Sequence, residues 1–248
     1  MNPEPPTLDE RMSLAVVTGA GQRLGRAIAL GLAARGYAVG LHYHASAQAA
    51  EETAAEIRAQ GGQAFLAQAD LRDAEQIVRL FAQVDGWGHP LRVWVNSAAV
   101  MPAQDADTMA AEEWDAVMDL NLRAPFLCAQ QAAQRMESGG VIINLSDSGA
   151  VKAWSGFPAY TVSKAGVEAL TRVLARRWGP RVRVNAVAPG LILRGEMTSA
   201  EEWQSLTGRL PMRTGGGPQD VVRAIAFLIE NPYITGETLV VDGGYRLI

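Results

Sequence analysis

The sequence predicts an α/β protein with a three-layer, doubly wound Rossmann fold, in which a seven-stranded parallel sheet carries helices on both faces. Two observations lead to this prediction. Seven short apolar runs alternate with six stretches of helical periodicity, the pattern of a parallel sheet. Glycine and polar residues come at or just after the ends of the apolar runs. Right-handed crossovers place those ends on one edge of the sheet, where such sheets bind their ligands.

The first two elements show how each of the others is predicted. Residues 14–17 form a short apolar run that ends at Thr18 and Gly19, as expected of a buried strand. From Leu24, apolar residues recur at helical spacing as far as Gly36. The same patterns predict strands at 38–43, 64–68, 93–96, 141–145, 182–187 and 238–241. They predict helices at 47–60, 73–84, 111–137, 160–178 and 218–230, several opened by Ser or Asp.

One segment, 191–217, fits neither pattern and is too long for a connector. We expect it to be a loop or lid that binds the substrate.

Composition restricts the kind of protein this can be. The 248 residues, 48% of them hydrophobic and 19% charged, predict a single domain over 12–248, preceded by a flexible tail at 1–11. A net charge of -4 gives no general attraction to nucleic acid or to an anionic membrane, and no apolar run is long enough to cross a bilayer. One cysteine, Cys128, excludes an internal disulfide, and the acidic, proline-rich start differs from a signal peptide. We expect a cytoplasmic protein that acts on a small molecule and holds no metal.

The residues that point most directly to catalysis lie in 143–164. Tyr160 and Lys164 are four residues apart, so a helix places both on one face, one turn apart. A fixed cation favours phenolate over phenol, and can bring a tyrosine that ordinarily titrates near pH ~10 towards the range in which it transfers a proton. The alternative is a solvated pair with no catalytic role.

A glycine-rich turn, TGAGQRLG, follows the first predicted strand. Gly19, Gly21 and Gly25 allow the backbone to approach a pyrophosphate, and the N-terminus of the next helix attracts its charge. Their spacing is G-x-G-x-x-x-G, one residue longer than the dinucleotide fingerprint. The alternative is a tight strand-to-helix turn without a ligand.

The end of the second strand predicts which dinucleotide binds. NAD enzymes of this fold place a carboxylate there for the ribose 2′-hydroxyl, but here the first acid is Glu51. His44 and Ser46 can instead donate hydrogen bonds to a 2′-phosphate, which favours NADP(H). The alternative for His42 and His44 is a strand end where both rings are packed or solvated together.

Further motifs follow in chain order, and together they identify a family. They are Asp70-Leu71, Asn96-Ser97-Ala98, Asn121, the Tyr160/Lys164 pair, Pro189-Gly190 and the run Val241-Asp242-Gly243-Gly244. With the glycine turn they resemble the short-chain dehydrogenase/reductase family over nearly the whole chain. The resemblance implies NADP(H) contacts at Gly19, Gly21, Arg23, Leu24, Gly25, His44, Ser46, Asp70, Leu71, Asn96, Ser97, Ala98, Tyr160, Lys164, Pro189 and Gly190. It also implies a homotetramer.

The resemblance further implies catalytic roles. Tyr160 gives a proton to the substrate atom that gains charge, and Lys164 binds the nicotinamide ribose and biases the phenol. Asn121 holds a water against the lysine. The alternative is that Asn121 is only a polar residue at a helix kink before Pro125.

The family normally has a serine thirteen residues before the tyrosine, where this chain has Asp147. A carboxylate beside a developing oxyanion raises the barrier to ketone reduction, but suits a substrate that presents N–H donors. A shift of one residue, which would bring Ser146 or Ser148 to the site, is the alternative.

Several of these features resemble the pteridine reductase branch of the family, in which an arginine and an aspartate contact a pterin. The expected substrate contacts are Arg23, Met101, Asp147, Trp154 and Tyr160, with Met101 where the branch has an aromatic residue. We therefore expect NADPH-dependent reduction of a pterin or dihydrofolate-like ring. The alternatives are a general reductase of 3-oxoacyl thioesters, sugars or quinones, and an NADP(H)-binding regulator without activity.

Overall fold

The computed structural model describes residues 13–137, 139–152, 154–195 and 198–248. The tail expected at 1–11 lies outside these residues.

Seven strands form one parallel sheet, which confirms the predicted fold class. Their bounds are β1 Leu14–Val17, β2 Ala38–Tyr43, β3 Ala64–Gln68, β4 Leu91–Asn96, β5 Gly140–Leu145, β6 Val182–Pro189 and β7 Thr238–Val241. The order is β3-β2-β1-β4-β5-β6-β7. Val17 therefore pairs with Leu41 on one side and with Val95 on the other. The strand order reverses between β1 and β4, and a crevice opens beyond their carboxyl ends.

The helices cover both faces of this sheet. Their bounds are α1 Arg23–Ala33, α2 Ala47–Ala59, α3 Ala74–Asp85, α4 Ala111–Met118, α5 Ala124–Arg135, α6 Pro158–Trp178, α7 Ala200–Gly208 and α8 Pro218–Glu230. Successive strand residues point to opposite faces. Thus Leu14 and Val16 pack with α3, α5 and α6, whereas Ala15 and Val17 pack with α1, α2 and α8.

The predicted helix 111–137 is interrupted, and here the prediction was wrong. A single π turn, Asp119–Arg123, separates α4 from α5. Pro125 has no backbone N–H to continue the helical ladder, which favours a local change of pitch. The turn contains Asn121, the polar residue predicted to contribute to a proton relay.

The segment 191–217 is not wholly irregular, because it contains α7. Ser199 accepts a hydrogen bond from the Glu202 N–H, and the Glu202 side chain accepts one from the Ser199 N–H. This capping box is visible in the sequence as Ser-Ala-Glu-Glu before a helical stretch.

Within the ranges given above, no helix is both long and apolar enough to cross a membrane.

Candidate active site

A cleft of about 640 Å³ lies beyond the carboxyl ends of the central strands. Most of the residues predicted from the sequence line it. These are Gly19, Arg23, Leu24, Gly25, His44, Ser46, Asp70, Leu71, Ser97, Ala98, Met101, Asp147, Tyr160, Lys164, Pro189 and Gly190. Four predicted residues lie outside the lining: Gly21, Asn96, Asn121 and Trp154. The sheet edge therefore collects residues that are up to 171 positions apart in the chain.

The glycine turn has the backbone geometry that its sequence requires. Gly19 has a φ of 65°, in the left-handed region. A Cβ on Gly25 would lie 2.1 Å from the Gly19 carbonyl oxygen, so only glycine fits there. Gly21 faces α2 instead of the cleft, since a Cβ there would meet Ser46 Oγ at 3.0 Å. The turn thus presents its backbone to the cleft at the start of α1.

His42 holds this turn from beneath. The Gly19 N–H donates to His42 Nδ1 at 3.2 Å, and His42 Nε2 lies 3.0 Å from the Ala69 carbonyl oxygen. The neutral ring protonated on Nε2 satisfies both contacts. Burial lowers the pKa of His42 to about 4, so the ring stays neutral at pH 7. His42 and His44 do not share one environment, because His42 is buried whereas His44 is exposed to the cleft.

Buried polar side chains connect the ends of β1, β4 and β5. The Thr18 hydroxyl accepts from the backbone N–H groups of Ser97 and Ala98, at 2.9 and 3.0 Å. Asn96 lies beneath the cleft and donates to Asn144 Oδ1 at 2.8 Å. Asn96 therefore supports the cleft floor.

The part of the cleft after β2 and β3 contains a cation that the sequence analysis missed. Arg72 binds both carboxylate oxygens of Asp70, with Nη2 2.8 Å from Oδ2. This pairing lowers the pKa of Asp70 to about 2. His44 Nε2 lies 3.8 Å from the same carboxylate. The Asp-Leu-Arg-Asp run after the third strand was the available signal, because its arginine comes at the same sheet edge.

Tyr160, Asp147 and Lys164 meet at the other end of the cleft. The Tyr160 hydroxyl donates to Asp147 Oδ2 at 2.7 Å, and the Lys164 ammonium lies 5.7 Å from the centre of the phenol ring. Lys164 Nζ also donates to the Leu145 carbonyl oxygen at 2.7 Å. Tyr160 and Lys164 are 7% and 4% exposed and Asp147 is half-buried, so the three groups interact with little access to water.

Protonation in this group differs from the sequence prediction. We expected Lys164 to lower the pKa of Tyr160, but burial and the Asp147 carboxylate raise it above its ordinary value. Burial likewise raises the pKa of Asp147. Burial lowers the pKa of Lys164 to about 8, against the attraction of Asp147. Residue spacing reveals neither the hydrogen bond from Tyr160 to a carboxylate nor the loss of hydration of the buried groups.

Asn121 and Trp154 are placed differently from the predicted contacts. The Asn121 side chain accepts from the Val100 N–H and donates to the Val100 carbonyl oxygen, both at 2.9 Å. It therefore fixes the loop that carries Met101. Trp154 packs against the 3₁₀ turn Ser148–Val151, where its ring occupies the space beside Gly149.

Comparison with known proteins identifies the family. The family model described as Enoyl-(Acyl carrier protein) reductase matches residues 19–246. A 3-oxoacyl-[acyl-carrier-protein] reductase, FabG of Staphylococcus aureus, is 38% identical over 238 residues, which are 93% of this chain and 96% of that protein. The chain belongs to the short-chain dehydrogenase/reductase family. A 3beta-hydroxysteroid dehydrogenase 1 of Eggerthella lenta is 38% identical over 250 residues, with 96% and 95% coverage.

Solved structures of short-chain dehydrogenases/reductases superpose closely on the chain. FolM alternative dihydrofolate reductase 1 from Brucella canis, complexed with NADP, has a TM-score of 0.92 at 30% identity and covers 97% of this chain and 96% of its own. A blue fluorescent protein from a metagenomic library, in complex with NADPH, has a TM-score of 0.89 at 32% identity, with 96% and 99% coverage.

This short-chain dehydrogenase/reductase departs from the family's usual residues at two positions that line the cleft, Arg23 and Asp147. Arg23 takes the place of the family's second glycine and keeps the left-handed backbone, with a φ of 50°. Its guanidinium donates to the Arg194 carbonyl oxygen at 3.3 Å. Asp147 takes the place of the family's serine and accepts a hydrogen bond from the Tyr160 hydroxyl. Ser146 instead donates towards Glu168 and the Lys164 carbonyl oxygen, and the buried Ser148 hydroxyl is outside the cleft lining.

Within the same described ranges, no group of three His, Cys, Asp or Glu residues is placed to hold a metal ion.

Proposed function

We propose that the protein is an NADPH-dependent reductase of a pterin or dihydrofolate-like ring. The observation that supports this most directly is the Asp147 carboxylate, which lies 2.7 Å from the Tyr160 hydroxyl. A carboxylate there accepts hydrogen bonds from N–H groups, which such a ring presents and a simple ketone does not. The likeness to a dihydrofolate reductase in complex with NADP points to the same class of substrate.

NADP(H) fits the residues of the cleft. Gly19 and Gly25 leave the backbone free for a pyrophosphate at the N-terminus of α1. In the part of the cleft after β2 and β3, the Asp70 carboxylate is neutralised by Arg72, so it does not repel a 2′-phosphate. His44 and Ser46 line the same region as donors. NADP and NADPH are the dinucleotides in the related structures described above.

The side chains of Asp147, Tyr160 and Lys164 bind the substrate and supply a proton. When bound, NADPH supplies a hydride. Asp147 orients the ring by accepting from its N–H groups. Tyr160 transfers its hydroxyl proton to the ring nitrogen that gains charge, and the Lys164 ammonium stabilises the phenolate that remains. The raised pKa of Tyr160 ensures that the hydroxyl carries its proton before the reaction.

A second candidate is the reduction of 3-oxoacyl thioesters. The curated relatives at 38% identity include 3-oxoacyl-[acyl-carrier-protein] reductases. In that reaction Tyr160 protonates the alkoxide oxygen, and Asp147 has to be protonated to donate to the carbonyl. Burial raises the pKa of Asp147, which makes the protonated form more accessible than for an exposed carboxyl.

The test compares both substrate classes in one assay of NADPH oxidation. Dihydrobiopterin, dihydrofolate and acetoacetyl thioesters are offered to wild type, Tyr160→Phe, Asp147→Ser and the nearly isosteric Asp147→Asn. We expect turnover of the pterins, a loss of at least about 100-fold in Tyr160→Phe, and a fall in kcat/KM for both Asp147 variants.

Two other outcomes would contradict the pterin reductase proposal. Ketone reduction that is unchanged or faster in Asp147→Ser, without pterin turnover, establishes the second candidate. If NADPH binds but none of these substrates is reduced, the protein is better described as an NADP(H)-binding regulator.

A further inference from the structure

A second groove, of about 760 Å³, opens beside the 3₁₀ turn that follows Asp147. The segment after α7 forms one wall, and the end of the 3₁₀ turn and the C-terminal residues form the other. Its lining includes Lys152, Leu206, Arg209, Leu210, Arg213 and Tyr245. None of the sequence motifs predicted this groove.

The groove is basic in a protein of net charge -4. Among the residues that the structure describes, three cations line the groove and no Asp or Glu does. Arg209 and Arg213 are exposed, and across the ranges that the structure describes neither guanidinium pairs with a carboxylate. Lys152 is fixed by backbone oxygens of Tyr245 and of the last residue, Ile248, at 3.0 and 2.7 Å. The arginines therefore remain available to an anion from outside the chain.

The groove is also close to the reacting groups. Asp147 precedes the 3₁₀ turn and lines the cleft, whereas Lys152 follows it and lines the groove. At ~2 Å per residue, five residues of such a turn separate the two by about 10 Å. The Trp154 ring packs beside Gly149 of this turn, the Tyr245 ring centre lies 3.9 Å from Lys152 Nζ, and the two ring centres are 6.1 Å apart. A substrate that extends by about this length beyond its reacting ring reaches the edge of the groove at Lys152, and Arg209 and Arg213 line the same groove.

We propose that the groove binds an anionic group on the tail of the substrate whose reducible end lies at Asp147 and Tyr160. The inference rests on the proposed function and specifies the substrate further. Each candidate class of substrate has a member with such a group: dihydrofolate carries glutamate carboxylates, and a coenzyme A thioester carries phosphates. Arginine binds either anion through its planar set of N–H donors.

The experiment uses pairs of substrates that differ in the tail. Dihydrofolate is compared with dihydrobiopterin, and acetoacetyl coenzyme A with acetoacetyl-N-acetylcysteamine, which has no phosphate. The variant is Arg209→Gln/Arg213→Gln. Its matched control is Arg176→Gln/Arg177→Gln, which changes two exposed arginines at the far end of α6. KM and kcat are measured for each pair at low and high ionic strength.

We expect KM for the anionic member to rise about fivefold in the groove variant, with kcat unchanged and the tailless member unaffected. High salt has the same effect on wild type, since it screens exposed charges. The pair that responds identifies the carboxylate or the phosphate as the source. Equal changes for tailed and tailless substrates, or no change in either, overturn the proposal.

A binding measurement separates this proposal from the proposed function. If no substrate is reduced, binding of p-aminobenzoylglutamate and of inorganic phosphate to wild type and to the groove variant is followed by nuclear magnetic resonance. Binding of either probe that the groove variant loses and the control keeps supports the anion site even though the proposed reaction is wrong. Binding that is absent, or equal in both variants, refutes the anion site itself.

Discussion

Lowering the pH should reduce the free energy of unfolding of this protein, because the imidazole of His42 is buried. In the folded chain its pKa lies at about 4, against an ordinary value of 6.5. Between these two values the unfolded chain binds a proton that the folded chain does not, so the free energy of unfolding falls as pH drops from 6.5 to 4. At ~1.4 kcal/mol per pH unit, the full loss is about 3 kcal/mol. Below pH 4 both states are protonated and this contribution no longer changes.

The assay is urea denaturation followed by tryptophan fluorescence, at a series of pH values from 7.5 to 4. His42→Gln keeps a polar group near Ala69 but cannot titrate. The difference in free energy of unfolding between wild type and this variant should therefore change by about 3 kcal/mol over the series, to the disadvantage of wild type in acid. His44→Gln is the matched control, because its side chain is 55% exposed. Parallel curves for wild type and His42→Gln over the whole range would refute the reasoning.

Three further predictions concern the cofactor and the assembly. Gly25→Ala should lower NADPH affinity at least about tenfold, because its Cβ would meet a carbonyl oxygen at 2.1 Å. Gly156→Ala is the control, since it has open space around it and should leave the affinity unchanged. Calorimetric titration measures the affinity of both variants. Arg72→Gln should weaken NADPH binding more than NADH binding, because it leaves Asp70 charged and unpaired near the 2′-phosphate, and an unchanged ratio of the two affinities contradicts this. The homotetramer that the family resemblance implies should dissociate in Phe126→Glu, since Phe126 is 38% exposed on α5 in a hollow lined also by Leu170. Analytical ultracentrifugation tests this, and an unaltered mass excludes that surface.

The sheet was predictable from the sequence because its strands are apolar runs that are too short for helices and are bounded by turn residues. Strands such as Leu14–Val17 and Ala38–Tyr43 agree with the prediction at both ends. The break at Asn121 was missed because a π turn changes the pitch without removing helical periodicity. Helix α7 was missed because its residues are largely exposed, so it lacks an apolar face.

The residues that gather at the cleft were predictable in part, because strand ends and glycine turns have fixed positions in such a sheet. Their electrostatics were not. Spacing alone shows that Lys164 lies one turn from Tyr160, but the pKa of the phenol depends on burial and on a carboxylate that approaches from another part of the chain. The basic groove was invisible for the same reason, since it joins residues more than 90 positions apart.

The contact of Arg23 with Arg194 relates two events that occur at separate parts of the cleft. Arg23 lies in the turn proposed to hold the cofactor phosphates, and its side chain hydrogen-bonds to the segment expected to cover the substrate. A phosphate that recruits this guanidinium competes with the Arg194 carbonyl oxygen for its donors. We expect this contact between the covering segment and the turn to break when the dinucleotide binds. Binding should follow a compulsory order, with the dinucleotide first and the substrate second.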